Sequence, residues 1–142
     1  MKKIVSIIIV LAISFLSLIA CGNSKSEISD PARLARRFAN AGYEVRFFIN
    51  DDEIADVIEG VASVEDIECM FMVEKDSYYE SDDQSGLFIY CRNLRAAEKL
   101  TNHFNTYLKN PIYYSEGYFF TVETLGTFVF AGSVSLWENA NI

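Results

Sequence analysis

Two short segments, residues 67–74 and 86–92, constrain the fold more than any other part of the chain. Both are rich in β-branched and aromatic residues, and they flank the polar stretch KDSYYESDDQS at 75–85, which predicts an antiparallel hairpin. The loop is centred on Glu80. Symmetric pairing about it sets Val73 opposite Leu87, Phe71 opposite Ile89 and Cys69 opposite Cys91, all on one face. A slip of one residue would send that whole set to the other face. Directly opposed residues lie about 4.5–5.5 Å apart at Cα, so Cys69 and Cys91 would be within reach of a disulfide. The alternative is that both remain free thiols, packed as small apolar groups.

Around this hairpin the periodicity switches between helix and strand. Asp30-Pro31 is a helix start, followed by Leu34, Phe38 and Ala41 on one side, Arg33, Arg36 and Arg37 on the other, and Gly42 as the stop. Residues 43–49 alternate, with Val45, Phe47 and Ile49 on one face. Ile54, Val57 and Ile58 mark a short helix over 51–60. Asn93 caps a longer helix with the stripe Leu94, Ala97, Leu100, Phe104 and Tyr107 or Leu108, stopped by Asn110-Pro111. A second hairpin spans 118–123 and 127–131, and Ser133 is placed to cap a last helix containing Leu136 and Trp137.

The resulting order, α-β-α-β-β-α-β-β-α, has a ferredoxin-like βαββαβ middle with added terminal helices. The expectation is an α+β domain over 31–142, with an antiparallel sheet of four to five strands and helices mainly on one face. Val45, Phe47, Ile49, Phe71, Val73, Leu87 and Ile89 would lie beneath the helices. The other face would then show Phe48, Met70, Met72, Phe88, Tyr90 and Phe119. Left uncovered, methionines and aromatics of that kind form an interaction surface; covered, they are core beneath the first or last helix.

The N-terminus has a different character. Lys2 and Lys3 precede an uncharged, mostly aliphatic run at 4–19, which ends in Leu18-Ile19-Ala20-Cys21. The run is long enough for a signal peptide and short for a membrane span. LIAC resembles the lipobox of bacterial lipoproteins, with a branched aliphatic residue at Leu18 and a small one at Ala20. The resemblance implies cleavage before Cys21 and lipidation of its thiol, with acyl chains such as palmitate holding the protein on the extracytoplasmic face of a membrane. Residues 1–20 would be the signal peptide and 21–30 the lipidated cysteine with a flexible tether. The rest of the chain is similar, in size and element order, to small lipid-anchored α+β domains of Gram-positive bacteria, a group without a common activity; the similarity transfers no functional residue.

Removing the first twenty residues leaves 122, with 10 basic and 20 acidic side chains. That balance repels phosphate backbones, so nucleic acid is not an expected partner. His103, the single histidine, sits among Thr101, Asn102 and Asn105 and has no nucleophile motif near it. Acids gather at Asp51, Asp52 and Glu53, where a helix N-terminus favours them, and again in the loop at 74–83. Neither stretch has the ligand spacing of an EF-hand. The seven glycines form no phosphate-binding loop. The expected protein is therefore not an enzyme and needs no cofactor or metal. It would bind another envelope protein or itself. The alternative is a small-ligand or cation-binding lipoprotein using the 74–83 loop.

Overall fold

The computed structural model describes residues 28–75, 84–108 and 120–140. Helix α1 (Pro31–Asn40) starts as its sequence predicts: the Asp30 carboxylate accepts a hydrogen bond from the Arg33 backbone N–H at 3.1 Å, and Pro31 occupies the first turn. After α1 the chain turns through Gly42, at φ +86°, a conformation open to glycine without strain. β1 (Glu44–Phe47), α2 (Asp51–Ile58) and a single 3₁₀ turn (Val64–Asp66) lead into β2 (Ile67–Lys75) and β3 (Gln84–Cys91). Asp51, Asp52 and Glu53 fill the first turn of α2. α3 (Leu94–Leu108) opens on Asn93, whose side-chain oxygen accepts from the Ala96 N–H at 2.9 Å while its amide donates to Asp66 at 2.7 Å. Leu94, expected in the buried stripe, is 59% exposed, and Ala96 takes the inward position instead. β4 (Phe120–Leu125), β5 (Phe128–Ser133) and α4 (Val134–Asn139) complete the order. Ser133 does stand at the N-cap position of α4, but its hydroxyl is buried and makes no capping bond.

The strands form one open, five-stranded sheet in the order β1-β2-β3-β5-β4, antiparallel at every junction. A ferredoxin-like core would split both of its βαβ units with an intervening strand. Only the second is split here: α3 joins β3 to β4, and β5 lies between them. The strands joined by α2, β1 and β2, are direct neighbours, so β1 sits at an edge and the expected interleaving is absent.

Helices cover both faces, which corrects the expectation of a one-sided cover. α1 and α4 pack Leu34, Phe38, Leu136 and Ala140 against Phe71, Val73, Phe88, Tyr90, Phe128 and Phe130. α2 and α3 pack Ile54, Ile58, Ala97 and Leu100 against Met70, Ile89, Cys91 and Val129 on the other side. The result is a three-layer sandwich with a core on each side of the sheet. Phe47, the last residue of the edge strand β1, and Ile49, just beyond it, are expected in the core but are 39% and 81% exposed.

The hairpin pairs one residue away from the symmetric register. Val73 opposes Gly86, Met72 opposes Leu87, Phe71 opposes Phe88 and Cys69 opposes Tyr90, and a bulge between Ile67 and Cys69 then sets Ile67 against Cys91. Cys69 packs with the α1/α4 core and Cys91 with the α2/α3 core. Both are free cysteines. Their side chains leave opposite faces of the sheet, so the expected Cys69–Cys91 opposition does not occur. The reason is in the strands themselves. Residues 69–73 and 87–91 are apolar throughout, so matching apolar with apolar is satisfied in either register.

One cross-strand pair consists of two glycines, Gly86 and Gly132. A Cβ on Gly132 would collide with the Gly86 Cα, and one on Gly86 would lie 2.6 Å from side-chain carbons of both Leu136 and Phe130. The bare backbone lets α4 and the Phe130 ring settle directly on the sheet.

Candidate functional site

A concave apolar region lies on the α2/α3 face, near the end of β2 and the start of β3. Its floor is made by adjacent strands: Met72 of β2 opposes Leu87 of β3, which opposes Ala131 of β5. Ala131 keeps that floor low between the larger Leu87 and Val122. The last turns of α3 supply one wall through Phe104, Tyr107 and Leu108, and Phe120 of β4 contributes at the rim. The groove encloses about 240 Å³ and is open to solvent. Glu74 and Ser85 are the polar side chains at its end. Such a site can hold a small apolar group beside one carboxylate. Among the described residues its lining offers no set of charged donors for a phosphate.

Beside the groove, α3 is tied to the end of α2. The Tyr107 hydroxyl donates to Glu59 Oε2 at 2.9 Å, and His103 Nε2 lies 3.7 Å from the same oxygen. The His103 ring packs edge-on to Phe104 and Tyr107, with centroids 5.4 and 5.0 Å away. His103 therefore sits against the buried stripe as a link between two helices.

The expected interaction surface is dispersed. Met70 and Phe88 are fully buried and Tyr90 is 8% exposed. Phe88 and Tyr90 face α1 and α4, whereas Phe48 and Met70 face α2 and α3. Phe48 also carries the Arg46 guanidinium 5.3 Å from its ring centroid. Of the five that the structure describes, Met72 alone lines the groove. Phe119 and Cys21 lie outside the described residues, as does the 74–83 loop beyond Lys75. Among the described residues, no group of three or more His, Cys, Asp or Glu side chains is placed to hold a metal ion. Nor is any of their helices long and apolar enough to cross a membrane.

Burial controls the remaining titratable groups of the core. It pushes the Cys91 thiol up to about 11, with Asp66 adding to the shift, and raises Cys69, with Glu68 adding. Both thiols are therefore protonated, and slow to react, at neutral pH. Tyr90 is raised by burial first and by Cys69 and Asp30 after it. Its hydroxyl is buried without a hydrogen-bond partner. An unpaired buried hydroxyl costs about 1–3 kcal/mol, so Tyr90→Phe should leave the unfolding midpoint unchanged or raise it. A clear loss of stability in chemical denaturation would show that the hydroxyl is bonded after all.

The groove was not visible in the sequence, because its lining comes from five separate elements; Ala131 amid larger apolar neighbours is the one local trace of it. Compared with protein-family models, curated proteins and solved structures, the chain matches none.

Proposed function

We propose that this chain is a bacterial lipoprotein whose α+β domain is held at the extracytoplasmic face of a membrane and acts as a non-enzymatic interaction module. The observation that carries the anchor is the sequence at the N-terminus: two lysines, a sixteen-residue uncharged run, a small residue at Ala20 and Cys21 directly after it. The two acyl chains of such an anchor bury many methylenes at about 0.8 kcal/mol each, enough for stable attachment. The partner is another envelope protein or a second copy of the chain. With both sheet faces covered, the groove floored by Met72 and Leu87 is the better contact region, since apolar side chains there remain open to solvent.

Crosslinking in intact membranes, followed by affinity recovery of the tagged chain, tests the interaction. The expected result is a discrete crosslinked species that Leu87→Glu abolishes while the domain keeps its melting transition. Recovery of neither partner nor oligomer, together with a Ca²⁺-dependent rise in melting temperature, would replace this reading with a cation-binding one centred on the 74–83 loop.

A further inference from the structure

The charges of this chain are distributed unevenly about the sheet. α1 carries Arg33, Arg36 and Arg37 and no acidic residue, whereas residues 41–142 carry six basic and eighteen acidic side chains. Arg33 and Arg36 are exposed; Arg37 turns inward and donates to the carbonyl oxygens of Asn139 and Ala140. The outer surface of α1 also exposes Ala32, Ala39 and Asn40, so among the described residues this helix sets no bulky apolar side chain beside the exposed Arg33 and Arg36. On the far side of the sheet α2 carries Asp51, Asp52, Glu53 and Asp56 and no basic residue. The basic helix faces one way and the most acidic helix the other.

α1 is also the element closest along the chain to the proposed anchor. Only residues 22–29 separate Cys21 from the Asp30 cap, a reach of at most about 30 Å when fully extended. Building on the anchor reading, we propose that the outer face of α1 docks on anionic phospholipid headgroups and so fixes the domain's orientation on the membrane. Guanidinium groups suit this task because their fork of donors matches phosphate oxygens. Both signs of charge set the orientation: the surface attracts Arg33 and Arg36 and repels the acidic remainder, so any other face presented to it is disfavoured. The α2/α3 face, with the groove, then points away from the bilayer.

The test uses the purified, lipidated protein on vesicles of phosphatidylcholine alone or of phosphatidylcholine mixed with phosphatidylglycerol. Phenylglyoxal modification of each arginine is followed by peptide mass spectrometry, with the exposed Arg92 and Arg95 as internal references. On the anionic vesicles Arg33 and Arg36 should be modified several-fold more slowly than on neutral ones, in line with about fivefold per arginine held at an anionic surface. The references should be unchanged, and high salt should remove the protection. Equal rates on the two vesicle types overturn the docking; protection on both would instead mark a contact between copies. Protein that floats with neither vesicle type overturns the anchor, and with it the short tether on which the docking depends.

Discussion

Phe88→Ala should destabilise the domain by about 3–5 kcal/mol, the cost of emptying a fully packed aromatic site. Phe88 sits on the central strand β3 with no exposed surface. Its ring stacks on Phe71 at a centroid distance of 4.9 Å and an interplanar angle of 3°, meets Phe130 edge-on at 4.9 Å, and touches Phe38 of α1 at 5.2 Å. Each such pair contributes about 0.5–1.5 kcal/mol beyond the area it buries. A domain of this kind has only about 5–15 kcal/mol in total, so the variant would retain a small margin. Urea unfolding at constant slope measures the loss. A loss below about 1.5 kcal/mol would mean that the four rings do not pack as described. Phe47→Ala, at a ring 39% exposed on the edge strand, should cost far less.

The second large effect concerns attachment. Cys21→Ser should abolish acylation and leave the chain uncleaved or shed from the membrane, whereas the wild type partitions into detergent with acyl mass on Cys21. The size of the effect follows from chain number. One acyl chain binds a bilayer only marginally and reversibly, while two hold it stably, so losing the diacylglyceryl group removes far more than any surface contact could restore. Wild-type protein that is soluble and carries no acyl mass on Cys21 would end the lipoprotein proposal.

The elements were legible where a local rule was strong. Asp30-Pro31 and Asn93 marked helix starts that the structure shows with their capping bonds in place. The two central strands stood out by their β-forming residues. Their register did not, because Cys69-Met70-Phe71-Met72-Val73 offers apolar side chains to both faces. That unbroken run was the sign that helices cover both sides, since a half-solvated strand alternates with polar residues. Pairing the strands symmetrically about Glu80 set Phe88 and Tyr90 on the face opposite Phe71 and put Cys69 opposite Cys91, whereas the true register lies one residue away. Cover of Phe88 and Tyr90 by the first and last described helices, the other alternative, is what the structure shows. The groove escaped for a different reason: it is a property of how α3 meets β2, β3, β4 and β5, and no window of neighbouring residues encodes that.

The pairing of the first and last helices on one side of the sheet has a consequence for folding order. Arg37 near the start of the domain is held by the carbonyl oxygens of Asn139 and Ala140. Leu34 and Phe38 share a core with Leu136 and Ala140. α1 therefore cannot finish packing until α4 has arrived, roughly a hundred residues later, and contacts of such separation slow folding because the chain must close a long loop before they form. A chain delivered across a membrane N-terminus first would stay incompletely folded until its final segment had crossed. During that interval the apolar runs at 69–73 and 87–91 in β2 and β3 would be open to chaperones, proteases or other copies of itself.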